Sequence, residues 1–389
     1  MAHDTAIAGI YEMKPGRYPD LNPIEMYYQV LSGAIAQWGI KPQDVDGLFT
    51  TPAGMAVGAA DIATHEKLGE TLGIRPIISE TLYAGGASFG AMVQRAEAMI
   101  RAGLCESILC LGAGKFGKVG TGGAEVLARM ASEPNFEFPY GTYIVSNYAM
   151  VASAYMAAYN VPREALARVS VSQRRWAVRN PDSIMGPKGE LTIEEVLASR
   201  PICSPFNMLD CSVPCEGGGA VLVTTAAKAR RLAKQPAYVL GYGEAHMHSS
   251  VSQAESLVDT GAVRTARMAF AQAGLTPADI QVAQLYDAFS ATPLILMENV
   301  GLCGRGAAPD FVMSGATDPG GSLPTNTGGG LLSFGHTGDA SGMSVLIEGL
   351  RQCMNEAGNR QIKKADIGLI HVYGGMLAEH ATLIVGREP

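Results

Sequence analysis

The chain has no uninterrupted apolar run long enough to span a bilayer; apolar segments such as Ser107 to Leu111 have only strand length. It has no block of like charges, and its formal charge is a mild −7. Both facts argue against a nucleic-acid or anionic-membrane surface. Cysteine is sparse: seven thiols, an odd number, are scattered over 389 residues, which excludes a disulfide framework. Cys203, Cys211 and Cys215 form the one cluster, with no nearby histidine and no zinc spacing, and read as buried thiols. Met1-Ala2-His3-Asp4 lacks a basic stretch leading into an apolar one, so no secretory signal is expected and the cytoplasm is the expected compartment. Apolar residues make up 47% of the sequence, ample at this length for one large domain or two ordinary ones.

Self-comparison shows an internal repeat. Ala34-Ile35-Ala36-Gln37-Trp38-Gly39-Ile40-Lys41-Pro42-Gln43-Asp44-Val45 reappears as Ala269-Phe270-Ala271-Gln272-Ala273-Gly274-Leu275-Thr276-Pro277-Ala278-Asp279-Ile280. Each copy ends an amphipathic helix at a glycine suited to the left-handed cap, then enters an apolar strand. A second pair follows in the same order. Ser88-Phe89-Gly90-Ala91-Met92-Val93 and Ala340-Ser341-Gly342-Met343-Ser344-Val345 each open a helix leading into a strand, Ser107 to Leu111 and Ile367 to Val372. Two matches in register predict two similar βαβ-type halves, 1–225 and 226–389, with helices around central sheets.

The first half carries an insertion at about 115–201, rich in Tyr, Met, Arg and Asn, as in Gln173-Arg174-Arg175-Trp176. It is expected to form a helical cap over the sheet ends, where α/β ligands usually bind. Gly117-Lys118-Val119-Gly120-Thr121-Gly122 and Gly328-Gly329-Gly330 fit neither a P-loop nor a dinucleotide fingerprint, so no nucleotide redox cofactor is expected. Glu244-Ala245-His246-Met247-His248 places two histidines on one side of a strand; with no third ligand evident, they are expected to line the substrate channel rather than bind metal. His371 is expected to neighbour the site and His380 to be peripheral. The abundance of glycine (47) and methionine (18) predicts a roomy, adaptable apolar pocket.

Two such halves resemble the thiolase superfamily, particularly sterol-carrier-protein-type thiolases and their lipid-transfer-protein relatives. Gly86-Ala87-Ser88 onward resembles the family's nucleophile helix, and Cys215-Glu216-Gly217-Gly218-Gly219 its strand closing the first half. Tyr286-Asp287-Ala288-Phe289 resembles the His-Asp-Cys-Phe segment. Gly335-His336 with the preceding glycine tract resembles the Gly-His-Pro segment, and Tyr373-Gly374-Gly375 stands at the Cys-x-Gly motif. The departures carry the chemistry. Gly86 takes the place of the acylated cysteine, Tyr373 that of the second cysteine, and Tyr286 that of the histidine. Glycine offers no nucleophile, which excludes ping-pong acyl transfer through that position.

What remains is machinery for a thioester enolate, and a retro-aldol needs only that. The resemblance therefore implies a carbon–carbon lyase that cleaves a β-hydroxyacyl-CoA, of steroid or other bulky skeleton, to a ketone or aldehyde and a shorter acyl-CoA. His336 is expected to hold the enolate oxygen, with Tyr286 and Tyr373 as base and acid in unspecified order. A phenol of ordinary pKa ~10 needs a cation, donor or helix dipole to act as a base. Gly86 and Gly375 are expected to contact substrate through their backbones, and Asp287 to orient substrate or cap a turn. CoA enters as substrate, not cofactor. The resemblance further implies a homodimer with a small OB-fold/zinc-ribbon partner. Two other readings remain: an acyltransferase using another nucleophile, with Ser88 the nearest hydroxyl, or a non-catalytic lipid- or acyl-CoA-binding subunit.

Overall fold

A computed structural model describes residues 4–116, 128–129 and 132–389; the Gly117–Gly122 stretch lies outside the described residues. Eleven strands are described: β1 (Thr5–Gly16), β2 (Gly47–Thr50), β3 (Ile78–Thr81), β4 (Ser107–Gly114), β5 (Pro201–Cys203), β6 (Phe206–Asn207), β7 (Glu216–Thr225), β8 (Tyr238–His246), β9 (Val282–Leu285), β10 (Ile367–Gly374) and β11 (Glu379–Gly386). The first sheet runs β1-β7-β4-β2-β3, with β3, β2 and β4 parallel and β7 antiparallel to both its neighbours. The second runs β8-β11-β10-β9, with β9 parallel to β10 and β11 antiparallel to β10 and β8.

The two orders superimpose strand for strand, save that the second sheet lacks a regular counterpart of β3. Residues 323–326 supply it. Ala283 N donates to Pro324 O at 3.1 Å, Asn326 N donates to Ala283 O at 2.9 Å, and Ala283 and Thr325 form a parallel bridge. The sequence repeat therefore reflects a structural one. Helices Pro23–Trp38 and Gly261–Ala273 both stop at a left-handed glycine, Gly39 (φ 64°) and Gly274 (φ 66°), whose N–H reaches back to Ile35 O and Phe270 O. Helices Ser88–Arg101 and Ser341–Cys353 form the second matched pair.

Those last two helices lie between the sheets, each against strands of both halves, while Pro23–Trp38 and Gly261–Ala273 cover the outer faces. Five layers result, α-β-α-β-α. Strands β2, β4 and β9 are buried at every residue, as expected for strands covered on both faces.

The predicted roomy pocket is corrected at several glycines, which serve close backbone approach. A Cβ at Gly342, at the start of the central helix, would stand 2.1 Å from Gly86 O; one at Gly114 would stand 1.7 Å from Thr337 O. Glycine abundance here lets the two halves touch along their backbones. The insertion is helical as expected, with Ile144–Tyr159, Arg163–Ala177 and Ile193–Ala198. It packs onto the second half: Trp176 donates its indole N–H to Thr317 O at 2.9 Å, and Tyr155 its hydroxyl to Glu298 at 2.5 Å.

Candidate active site

Where the two halves meet, four sequence-predicted residues converge. Tyr286 follows β9 directly and is held in line by its N–H donating to His371 O at 3.0 Å. Tyr373 lies in the neighbouring β10, its ring centroid 4.6 Å from that of Tyr286. His336 sits in the turn before helix Ser341–Cys353, pinned on both sides: its N–H donates to Val213 O at 2.7 Å, and its carbonyl accepts from Cys215 N at 3.0 Å. Gly86 closes the group. A Cβ there would stand 2.5 Å from Tyr286 Cε2 and 2.5 Å from Tyr373 O. Gly375 adjoins it, since a Cβ on Gly85 would fall 3.1 Å from Gly375 N.

The hydrogen bonds at Tyr286 have a direction. Ser341 donates its one hydroxyl proton to Gly338 O at 2.9 Å, so its oxygen accepts from the Tyr286 hydroxyl at 2.6 Å. The Tyr286 oxygen is then free to accept from His336 Nε2–H at 3.1 Å. The His336 Nδ1 atom and the Tyr373 hydroxyl make no hydrogen bond among the described residues, although Thr292 and Tyr148 are polar neighbours of that hydroxyl.

All three groups are neutral. Loss of solvent around His336 pushes its pKa down to about 4. Burial raises the Tyr286 phenol above its ordinary value, and burial together with Tyr148 and Tyr286 raises Tyr373 well above it. No lysine or arginine is among the groups acting on either phenol. Among the described residues, the cationic help that a phenolate base would need is therefore missing.

Other expected site residues lie elsewhere. Asp287 turns away from Tyr286, as adjacent residues at a strand end must. Its carboxylate accepts from Leu331 N at 2.8 Å and Leu332 N at 3.3 Å, and burial pushes its pKa up to about 8. It caps the turn 330–334 instead of facing substrate. His246 ends β8 with a side chain 59% exposed, paired with Glu244 and Glu379. Its histidine neighbour does not share a strand face with it, because the strand stops there. His248, beyond that end, lies 3.2 Å from Met376 O in the loop after Tyr373. Among the described residues, no group of three or more His, Cys, Asp or Glu could hold a metal.

His380 is not peripheral. It is fully buried, its ring centroid 6.2 Å from that of Tyr373 and its Nδ1 3.1 Å from His371 Nε2. Sequence reasoning also missed Tyr148 of the cap, whose hydroxyl donates to Gly375 O at 2.8 Å. Nothing in the cap's pattern marked it. Ser341 had a signal, because it opens the repeated helix. Asp339, three residues beyond His336, accepts from Ala56 N at 3.0 Å and is pushed up to about 7 by burial.

Candidate replacement nucleophiles are committed or protonated. Ser88 donates to Gly85 O at 2.7 Å and accepts from Ala84 N at 2.8 Å, closing the loop before its own helix. Cys215 packs against Gly335, but burial pushes its thiol up to about 12.

Comparison with known proteins agrees with this architecture. Family models for the thiolase N-terminal domain and the thiolase C-terminal domain-like region match residues 5–185 and 243–387. An acetyl-CoA acetyltransferase from Methanothermobacter thermautotrophicus is 30% identical, over 99% of this chain and 100% of that protein. A 17-hydroxy-3-oxo-4-pregnene-20-carboxyl-CoA lyase from Mycobacterium tuberculosis is 32% identical, over 90% of this chain and 92% of that protein. The solved structure of an Ltp2-ChsH2(DUF35) aldolase aligns with a TM-score of 0.85 at 28% identity, covering 99% of this chain and 98% of that one. With both halves matched and the five-layer fold in place, the chain belongs to the thiolase superfamily.

Proposed function

We propose that this chain is a retro-aldolase of β-hydroxyacyl-CoA thioesters, releasing a ketone or aldehyde and a shorter acyl-CoA without an acyl-enzyme. One observation carries the reading. The space where a side chain at Gly86 would stand is already filled by the Tyr286 ring, 2.5 Å from such a Cβ. The site has given up its nucleophile's place to a phenol hydrogen-bonded to a histidine.

The neutral state of the three groups selects a mechanism. In a retro-aldol the proton leaving the β-hydroxyl ends on the α-carbon, so no group need gain a net charge. The unengaged Tyr373 hydroxyl relays the proton in one step, accepting the β-hydroxyl proton on its oxygen while it gives its own proton to the α-carbon as the Cα–Cβ bond breaks. The O–H electrons form the new carbonyl, and the C–C electrons, with enolate character at the thioester oxygen, form the new Cα–H bond. His336 Nε2–H, turned from the Tyr286 oxygen to the substrate, is the donor for the enolate oxygen, the type of contact whose loss costs about 10²–10³-fold in turnover. This replaces the expected activated phenolate with a neutral shuttle.

The lyase and the aldolase among the similar proteins support this reading over the acetyltransferase, because the nucleophile position is glycine. A bulky, steroid-like acyl skeleton is the substrate class it favours, with no redox cofactor. The halves 1–225 and 226–389 follow sheet membership. The open edge of β3, which among the described residues pairs only with β2 and is flanked by exposed Ile62, Ile77 and Tyr83, supports a homodimer through that edge. The two-component name of the solved aldolase supports a small second protein as partner. No helix among the described residues is long and apolar enough to cross a membrane, and a cytoplasmic setting is part of the proposal. The test is product analysis with a β-hydroxyacyl-CoA: carbonyl product and shortened acyl-CoA in equal amounts, without added CoA.

A further inference from the structure

Turnover by the retro-aldol route depends on where the Tyr373 hydroxyl stands, and Tyr373 precedes a turn held in an unusual way. Strands β10 and β11 join through Gly374–Glu379, where Gly375 (φ 59°) and Leu377 (φ 58°) both adopt left-handed backbone. Glycine does so freely; leucine does so only when its surroundings enforce it. Three successive carbonyls of this turn are each met by a side chain from a different segment. The Tyr148 hydroxyl donates to Gly375 O at 2.8 Å, His248 Nε2 lies 3.2 Å from Met376 O, and His380 Nε2 lies 2.9 Å from Leu377 O.

The His380 contact is the buried end of a longer chain whose direction follows from one end. A carbonyl only accepts, so His380 carries its proton on Nε2. His380 is neutral, burial pushing its pKa down to about 4, so its Nδ1 is bare and accepts from His371 Nε2–H at 3.1 Å. His371, also held neutral by burial, then has a bare Nδ1 that accepts from the Thr382 hydroxyl at 2.8 Å. With the Thr382 proton on His371, the Thr382 oxygen accepts from the Thr265 hydroxyl at 2.6 Å, a shorter contact than the 3.2 Å from that hydroxyl to Ala262 O. Four fully buried side chains, on the helix Gly261–Ala273 and on β10 and β11, thus pass one hydrogen-bond direction to the carbonyl of the strained leucine.

If these side chains served packing alone, apolar residues would fill the same volume without any requirement for matched donors and acceptors. We propose that His371 and His380 are positioning residues: the chain Thr265–Thr382–His371–His380 fixes the turn at Leu377, and through it the Tyr373 hydroxyl and the Gly375 backbone, in the reactive arrangement. The inference rests on the retro-aldol reading for its kinetic consequence and stands apart from it in its hydrogen-bond pattern.

Two arms test it. In protein carrying ¹⁵N-labelled histidine, nuclear magnetic resonance should show His371 and His380 both as neutral Nε2–H tautomers; an Nδ1–H or charged form at either ring overturns the chain. In kinetics with a β-hydroxyacyl-CoA, His380→Leu should lower kcat by about 10²-fold, the scale of an ångström-level misplacement, with KM unchanged. His380→Gln, which returns an N–H at the place of Nε2 without the ring, should recover most of that loss. Equal kcat in wild type and His380→Leu, or equal losses in the Leu and Gln variants, would show that the ring only packs. A folded wild type that cleaves no β-hydroxyacyl-CoA would overturn the reaction itself, and the tautomer arm would still decide the chain.

Discussion

The hydroxyl of Tyr286 lies 3.1 Å from His336 Nε2 and 2.6 Å from Ser341 Oγ, and the proton of Ser341 is committed to Gly338 O. Tyr286 therefore accepts from the histidine and donates to the serine. That polarity makes His336 Nε2–H the donor for a future oxyanion, with the Tyr286 proton held by Ser341, and it leaves proton transfer to Tyr373.

The two tyrosines should separate in stability as well as rate. Tyr286→Phe removes the acceptor of His336 Nε2–H and the donor to Ser341, so it should destabilise the fold by about 1–3 kcal/mol and lower turnover about 10²–10³-fold. Tyr373→Phe removes a buried hydroxyl without a hydrogen bond among the described residues, so denaturant titration should find it as stable as wild type or more so. Its turnover should fall about 10²–10⁴-fold, the range of a general acid–base group. Near-normal turnover in both variants would refute the tyrosine assignment.

Activity should be insensitive to pH over the neutral range. Both phenols are raised above their ordinary values, and His336 is lowered to about 4, so none of the three changes charge there. A pH profile of kcat, measured with the carbonyl product as readout, should be flat across about pH 6 to 8, well inside the window between the lowered His336 and the raised phenols. A sloping acid limb near pH 7 would instead assign a role to Asp339, whose carboxyl is pushed up to about that pH.

The three buried histidines should weaken the fold on acidification. His336 and His380 are lowered to about 4 and His371 well below its ordinary value of 6.5, so at these rings the unfolded chain binds more protons than the folded one between about 4 and 6.5. Asp287 and Asp339, raised to about 8 and about 7, act in the opposite sense, because there the folded chain holds the protons. The histidine share is read by difference: thermal unfolding followed at pH 7, 6, 5 and 4.5 should show wild type losing ground relative to a His371→Gln variant as pH falls, and a constant difference would contradict it.

Gly86→Ala should disrupt the site through contact alone. The added carbon would lie 2.5 Å from a backbone oxygen and 2.5 Å from the Tyr286 ring, neither the far end of a flexible side chain. Overpacking of this kind costs about 1–3 kcal/mol. Gly86→Cys adds a sulfur to the same collision, and neither variant should perform multiple-turnover thiolysis of a β-ketoacyl-CoA.

Much of this arrangement is legible in the sequence. The twin helix ends at Gly39 and Gly274 and the paired helix starts at Ser88 and Ser341 reveal the doubled fold, because capping and periodicity are local signals. The site's four residues are legible through motif likeness. What escapes the sequence depends on contacts between distant segments. Asp287 stands beside Tyr286 in the chain, yet its carboxylate belongs to the Leu331 turn, 44 positions away. Tyr148 meets Gly375 across 227 positions, and no pattern within either segment announces it. His380 reads as peripheral because it lies near the end of the chain, although strand pairing sets it directly opposite Tyr373. The replacement of a fifth strand by residues 323–326 is hidden because Pro324 interrupts any strand pattern.

The central claim is that carbon–carbon cleavage here proceeds without a covalent acyl intermediate. The most direct measurement gives the purified protein a bulky β-hydroxyacyl-CoA and, in parallel, the matching β-ketoacyl-CoA with free CoA. Products and the intact protein mass are both followed by mass spectrometry. The account predicts a carbonyl product and a shorter acyl-CoA from the first substrate, no thiolysis of the second, and an unchanged protein mass in both. Multiple-turnover thiolysis of the β-keto substrate, or an acyl adduct on the protein, would contradict it.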